Sequence, residues 1–492
     1  MKIIFLGLII FISIAAFYGI ISPTSLIATY GILAILPLVL LYIRKNLFNT
    51  LFVLIFLSAI QGIGLIRIPV LPDIAPYRIL LIVLLLFFVS ELIMHKRKII
   101  GGIKKVEIAM ILLCVYILFS MIFAGTGYVK GKGLFLTFLL NAYVVPFLIY
   151  FFVKNLVTNE QEIRKIFIFF TIFGLYLGLT GIFEMFRLDF LVFPEYIMDH
   201  KIGIHWGRAR GPFVQAGVNA MVISMIIFMS FYLLQLEKKK WAKFFIFVSL
   251  ISMLVTLVLT YSRGSWLSFL LASLFVIRFF PSLRKAFIFF SVVVFLIIAV
   301  QISMNQFQIK HVQEGQQFFS RLTVEEAVTE RLTSTTSIFS RINVYATAGR
   351  MFLAKPIFGF GYNKFKEEQS EYFVPIEGIP FNITEGISMH NMYGMILMEF
   401  GLIGLSLYLY ILIYFIKINI KLYRLLPHEG FLSKNFMIII GGVFIIYLTN
   451  MFTKDYQYIM FPNLYFYCVA GIMDGIYQRN MLKTSHEKII TA

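Results

Sequence analysis

The chain has 492 residues, of which 60% are hydrophobic and 14% charged, with 43 basic residues against 24 acidic and a net charge of +19. An ordinary soluble domain carries about 25% charged residues, so a water-soluble globule of this length is excluded. The apolar residues fall in blocks of roughly 17–23, the length that crosses a hydrocarbon core of about 30 Å at 1.5 Å per residue.

In chain order the blocks predict spans at 3–21, 25–43, 47–66, 77–94, 106–124, 134–153, 166–186, 215–236, 241–260, 264–280, 286–304, 391–416, 435–452 and 457–476. The first follows Lys2 like a secretory signal. It is too long for a signal h-region and no small-residue cleavage site follows, so it reads as a retained helix. The expected fold is an all-α polytopic membrane protein of about 14 transmembrane helices, with a large helical extracytoplasmic loop before the last three. Three regions follow: N-terminal transmembrane helices at 1–204, a core at 205–416 that includes the loop 305–389, and C-terminal helices with a tail at 417–492.

The basic residues set the orientation. Lys2, Arg44, Lys45, Lys96 to Lys98, Lys104, Lys105, Lys154, Arg164, Lys165, Lys238 to Lys240, Lys243, Arg278, Arg284 and Lys285 fall on one side. So do Lys417, Lys421, Arg424, Lys434, Arg479, Lys483 and Lys488, which brings 25 of the 43 basic residues into short segments of one face. The positive-inside rule makes that face cytoplasmic, with both termini there and the chain in the plasma membrane. The charge is accounted for by topology, and no aromatic-basic module points to nucleic acid. Cys114 and Cys468 lie inside apolar spans and read as packing residues.

Two long connections fall outside, 187–214 and 305–389. The second carries 8 basic and 9 acidic residues, two helix-like stretches at Lys310–Leu332 and Ser337–Leu353, and a turn from Lys355 to Gly361. Loops this long in compact proteins are usually functional, so chemistry is sought on the outer face. Cations there are not needed for topology. Arg208 and Arg210 lie in Gly207-Arg-Ala-Arg-Gly-Pro-Phe, Arg263 in the tight turn Thr260-Tyr-Ser-Arg-Gly, and Arg341 and Arg350 in the long loop. Arginine's planar fork suits a phosphate or pyrophosphate; a single arginine at an interface can equally be snorkelling to headgroups.

His390 stands where the long loop re-enters the membrane, in Met389-His-Asn-Met-Tyr. An imidazole is a plausible base for a hydroxyl, and Asn391 and Tyr393 beside it could orient an acceptor sugar. His95, His428 and His486 fall in the cytoplasm, and His200, His205 and His311 lack ligand spacing, so neither metal nor cofactor is expected. Glu399 is the one carboxylate deep in a span, with Glu184 a second candidate. Nine positions on from His390 along a continuous helix, Glu399 would lie about 13 Å deeper and on the opposite face. It therefore cannot orient His390.

These residues resemble the bacterial O-antigen ligase and O-antigen polymerase superfamily, over about 205 residues from Arg210 to Phe415. The resemblance rests on Arg210-Gly-Pro-Phe with Asn219 and Ala220, on Thr260-Tyr-Ser-Arg263-Gly-Ser, and on Arg341-Ile-Asn-Val-Tyr leading to Lys355-Pro356…Gly359-Phe-Gly361-Tyr-Asn-Lys-Phe365. Its last element is His390-Asn-Met-Tyr…Glu399-Phe-Gly401-Leu-Ile-Gly404. Each motif alone is weak; the four in order around a long outer loop are specific. Gln215-Ala216-Gly217 stands where the family commonly has an Asn-Pro pair, and Tyr345 where it often has Trp. Neither departure removes a charge.

The resemblance implies an undecaprenyl pyrophosphate glycan as donor, presented at the outer leaflet, with a flippase and a chain-length regulator as partners besides membrane lipids. It gives Arg210, Arg263 and Arg341 the pyrophosphate and His390 the acceptor hydroxyl, in a metal-independent transfer with inversion. Polymerase and ligase share these motifs; a surface-polysaccharide polymerase is favoured over a ligase. A lipid-linked oligosaccharide flippase or transporter is the rival from another class, but the paired repeats and midplane broken helices of transporters are not evident here.

In a background lacking Cys114 and Cys468, cysteines placed at Lys98 and Glu326 test the topology. An impermeant thiol reagent is expected to label Glu326→Cys from outside and Lys98→Cys only after lysis; the reverse pattern inverts the orientation.

Overall fold

The computed structural model describes residues 39–60, 75–125, 128–129, 133–134, 136–199, 201–203, 206–280, 336–376, 388–455 and 459–490. The predicted spans 3–21 and 286–304, most of 25–43 and the stretch Lys310–Leu332 lie outside the described residues. The described helices are α1 (Val39–Lys45), α2 (Leu47–Ala59), α3 (Pro76–Ile93), α4 (Lys105–Phe123), α5 (Leu136–Leu156), α6 (Glu160–Met185) and α7 (Ala216–Leu236). There follow α8 (Lys240–Leu259), α9 (Arg263–Phe279), α10 (Thr336–Ala354), α11 (Lys364–Glu368), α12 (Met392–Leu425), α13 (Lys434–Asn450) and α14 (Met460–Ile490). Besides them there is one antiparallel pair of two-residue strands, Tyr128–Val129 with Gly133–Leu134.

Every predicted span that falls on described residues coincides with a helix, and the stretch Ser337–Leu353 is α10. Among the described residues seven helices are long and apolar enough to cross a membrane, or eight if the bent pair α1–α2 is one span. The chain is a polytopic helical membrane protein. α9 and α13 fall just short at 17 residues each. α14 is less apolar because it carries Asn463, Asp474 and Gln478, all buried against neighbouring helices.

α7 is the centre. It is apolar on all sides, and 89% of its most hydrophobic window is buried, as expected of a helix with no solvent or lipid face. α6, α8, α9, α13 and α14 all pack on it. α6 meets α8 closely through Gly174, Gly178 and Gly181, where an added Cβ would collide with Met253, Ser252 and Thr256. Such small-residue stripes let membrane helices approach backbone to backbone, and the Thr256 hydroxyl donates to the Gly178 carbonyl at 2.6 Å.

α5 and α14 are joined by a proline's consequence. Pro146 has no N–H for the carbonyl of Ala142 four residues before it, and the helix widens into a π-turn at Leu140–Val144. Asn463 of α14 fills the gap by donating to the Ala142 carbonyl at 3.1 Å. Tyr447 of α13 in turn donates to Asn463 Oδ1 at 2.7 Å.

At the lysine-rich end a buried charge cluster ties four helices. The Lys154 ammonium, fully buried, pairs with Glu107 and with Asp474 Oδ2, the latter at 3.3 Å. The Tyr150 hydroxyl lies 2.5 Å from Asp474 Oδ2 and 3.1 Å from Glu107 Oε1. Tyr414 of α12 and Gln478 donate to Asp474 Oδ1 at 3.2 and 3.0 Å. α4, α5, α12 and α14 are thereby held in register.

The predicted span 391–416 needs correction. Its helix breaks at Gly401, with φ 62° and ψ −163°. In a straight helix Met392 would lie about 24 Å from Tyr408. Instead the Met392 sulfur is 3.9 Å from the Tyr408 hydroxyl, so the segment 392–400 folds back over α12. The span proper begins after Gly401, and Glu399 does not continue it inward from His390 as the continuous helix had implied. The hydrogen bonds lost at the break go to the turn 355–361. Phe360 and Gly361 N–H donate to the carbonyls of Met398 and Glu399, both at 2.9 Å. Leu402 and Ile403 N–H donate to Pro356 and Ile357 at 2.9 and 3.3 Å. Gly359 and Gly401 meet backbone to backbone, leaving no room for a Cβ on either.

Lys154→Met leaves two carboxylates facing each other in a buried site. Removing one partner of a buried pair costs about 3–5 kcal/mol, so the detergent-solubilised variant should melt well below wild type. Adding Asp474→Asn should recover part of that loss; strictly additive losses in the double variant would disprove the coupling.

Candidate active site

Four segments converge at the end of the bundle opposite the lysine-rich one: the loop 206–215, the α8–α9 turn, the entrance to α12 and the α13–α14 turn. Ser265 on α9 donates to Asn450 Oδ1 at the end of α13, 2.8 Å away, and itself pairs with Ser262 at 3.0 Å. Gly264 abuts Thr453 so closely that a Cβ would lie 2.5 Å from its hydroxyl. Met392 N–H donates to the Met451 carbonyl at 2.8 Å. Arg208 Nη2 donates to the Tyr261 carbonyl at 2.7 Å, and Ala209 N–H to that of Leu259 at 3.1 Å.

His390 immediately precedes the N-cap of α12 and lies in the left-handed region at φ 51°. Its ring is half exposed, and Nδ1 faces Asp455 Oδ1 at 3.5 Å. Ser388 donates to the other Asp455 oxygen. The 3.5 Å between His390 and Asp455 is at the long end for a hydrogen bond and is also close enough for electrostatic pairing. Burial alone would raise the Asp455 carboxyl, but the hydrogen bonds from His390 and Ser388, with the nearby charges of His390 and Lys366, outweigh it and hold the group below the usual carboxylate range. Asp455 thus stays anionic wherever an imidazole titrates. That carboxylate faces the Nδ1 edge of the ring, and Nε2 is the nitrogen on the far edge.

Arg263 opens α9 and is exposed, at the turn that packs on the 450–455 segment. The ammonium of Lys454 lies against the first turn of α7, where a Cβ on Gly217 would be 2.8 Å from it. Arg341 is exposed on α10, one turn before Val344. α10 packs on the folded-back start of α12 through a second core of Val344, Met351, Phe360, Phe365, Met389, Met395 and Met398. Arg350 is held farther along α10 by the Tyr372 carbonyl, at 3.4 Å.

Arg210 is placed differently. It is fully buried. Its Nε donates to Glu184 Oε1 at 2.9 Å and its Nη1 to the Ile202 carbonyl at 2.8 Å. Its Nη2 reaches the Ile197 carbonyl, and the guanidinium stacks on Trp206 at 4.4 Å. Glu184 Oε2 also accepts from the N–H groups of Arg210 and Gly211 at 2.7 and 2.9 Å. The pair ties Ile197, Ile202 and Gly211 to the end of α6. Asn391 caps α12 by accepting from Gly394 N–H at 3.0 Å. Tyr393 donates to the Leu448 carbonyl at 3.2 Å and packs on Phe452. Both shape the entrance of α12.

Lys454 and Asp455 are not among the site residues that the sequence suggests, although they are visible there as the two charges that interrupt the apolar run 435–476. Among the described residues no group of three His, Cys, Asp or Glu side chains is placed to hold a metal. Val214, Tyr261 and His390, three of the six described non-glycine residues at positive φ, lie in these converging segments. Strained backbone of this kind gathers at functional sites.

The architecture is that of a polytopic membrane protein with a polar, cationic site at one end of its bundle. Residues 248–409, about a third of the chain, match the family model described as O-Antigen ligase. The match supports the O-antigen ligase and polymerase superfamily and so points to glycan processing of that type. It contains Arg263, Arg341 and His390; Arg208, Arg210 and Asp455 lie outside it. No curated protein matches the chain.

Asp455→Asn keeps the shape and removes the charge. Maximal activity should fall, on the order of tenfold, and less than the 10²–10⁴ expected for losing a general base. In a protein that already carries His390→Asn the same substitution should cost nothing further. A further loss in that background would show that Asp455 does not act through His390.

Proposed function

We propose that the protein polymerises undecaprenyl pyrophosphate-linked oligosaccharide units into a cell-surface polysaccharide at the outer leaflet of the plasma membrane. The observation that carries this reading is the packing of the Arg263 turn onto the segment whose Asp455 holds His390. It supports a reading in which a cation acts near a base, and displacement at an anomeric carbon needs both.

The acceptor hydroxyl gives its proton to His390 Nε2 as its oxygen forms a bond to the donor's anomeric carbon. The bond from that carbon to the pyrophosphate oxygen breaks, and the electron pair leaves with the lipid pyrophosphate. Arg263, Arg341 and Lys454 balance the charge that develops there, and no metal is required for it. Arg208 and Arg210 act behind them by fixing the loop and the α8–α9 turn. The proton then passes from His390 to solvent, and attack opposite the leaving group inverts the anomeric centre. A ligase would use the same steps with a different acceptor, so the acceptor alone separates the two readings.

Purified protein supplied with its lipid-linked units should give a ladder of products. His390→Asn, which tolerates the left-handed backbone but cannot act as base, should reduce the rate by about 10²–10⁴ while the donor still binds. Arg263→Lys keeps the charge and loses the fork. At roughly 1.5–3 kcal/mol for one charge-assisted contact it should cost at least about tenfold. A ladder unchanged in His390→Asn removes this residue from the mechanism. Wild-type transfer to a different acceptor without a ladder makes the protein a ligase. Unreacted units moved across a vesicle membrane make it a flippase.

A further inference from the structure

At the lysine-rich end, far from the converging loops, the elbow between α1 and α2 and the last turn of α3 enclose a cavity of about 340 Å³. The two helices of the elbow meet at 116°. Three cations line the cavity, Arg44, Lys45 and Lys96, over apolar walls of Leu41, Phe87 and Met94. Ser90 and Glu91 complete it. Glu91 does not cancel the cations, because its carboxylate is already held by Arg97 Nε at 2.7 Å. The cavity therefore keeps a surplus of positive charge.

A positive site of this kind would suit any anion. What narrows the choice is the surface leading to it. Ile79, Ile82, Leu86, Val89 and Ile93 form an exposed apolar stripe along α3, spaced three and four residues apart. That spacing keeps them on one helix face, and the stripe ends beside the cavity. A ligand matching both features has an anionic head and long hydrocarbon chains. We propose that this cavity binds the headgroup of an anionic phospholipid whose acyl chains lie along the exposed face of α3. The phosphate is taken by the Arg44 fork and the two ammonium groups, and the Ser90 hydroxyl is available to the headgroup's own hydroxyls. Basic pockets between helices at a membrane face are suited to such headgroups.

The test uses the full-length protein, purified in detergent from phosphatidylglycerol and phosphatidylcholine mixtures and stripped by extended washing. Lipid retained per protein is then counted by mass spectrometry. Wild type should retain phosphatidylglycerol and release phosphatidylcholine. Each cation near an anionic lipid contributes about fivefold, so Arg44→Gln, Lys45→Gln and Lys96→Gln together should weaken retention on the order of a hundredfold. Ser90→Trp, which fills the cavity with no change of charge, should release the lipid as well, and helical content and elution volume will show that both variants are folded. Retention equal to wild type in either folded variant overturns the proposal. So does equal retention of the two lipids by wild type. Displacement of phosphatidylglycerol by millimolar inorganic phosphate as effective as that by added phosphatidylglycerol would also overturn it, because the site would then recognise a soluble anion.

Discussion

A backbone N–H or carbonyl left without a partner in hydrocarbon costs several kcal/mol, and the arrangement of this protein follows from where that debt arises. Regular helices satisfy themselves. Irregular backbone survives only where another element supplies the missing bonds, so each break in a helix dictates a tertiary contact. Pro146 opens the carbonyl of Ala142, and Asn463 of α14 closes it. Gly401 interrupts α12, and the turn 355–361 takes over four backbone bonds around it. Glu184 and Arg210 likewise supply bonds to the backbone of Ile202, Arg210 and Gly211, where the chain has left the end of α6.

The break at Gly401 matters most for the site. It folds the segment 392–400 back over α12, and the Met392 N–H reaches the Met451 carbonyl only because of that fold. His390, two residues upstream, is thereby delivered to Asp455 on the α13–α14 turn. The same fold gives α10, the helix that carries Arg341, a surface to pack on. The clasp and the site are consecutive consequences of one glycine pair. The third and fourth motifs of the sequence, which read as separate signatures, are here two halves of one structural unit.

Much of this was legible beforehand. Blocks of apolar residues locate helices reliably because length and hydropathy are local properties, and α10 was readable from its own charged periodicity. His390, Arg263 and Arg341 stood out because an outer-face ion needs a reason. The fold-back was not legible. Gly401 lies in a run of apolar residues that favours a continuous helix, and a lone glycine there is tolerated. What turns it into an elbow is the turn 355–361, some forty residues upstream. Asp455 was hidden for the same reason, since its partner is 65 positions away in sequence. Arg210 shows the converse difficulty. A cation at an interface looks the same in sequence whether it faces a ligand or is buried on a carboxylate, and only the place of Glu184 on α6 distinguishes them.

That distinction orders the cations by role. Lys154 is neutralised by two carboxylates and locks helices together; Arg210 is neutralised by one and locks a loop. Arg263 and Arg341 are exposed, and Lys454 meets the first turn of α7, an N-terminal end whose dipole is itself positive. Against these cations the converging segments set one carboxylate, Asp455, already engaged by His390 and Ser388. The proposed reaction gives a reason for positive charge at this end of the bundle. Under that proposal negative charge arrives with the substrate and is largest as the reaction proceeds, as for a departing pyrophosphate.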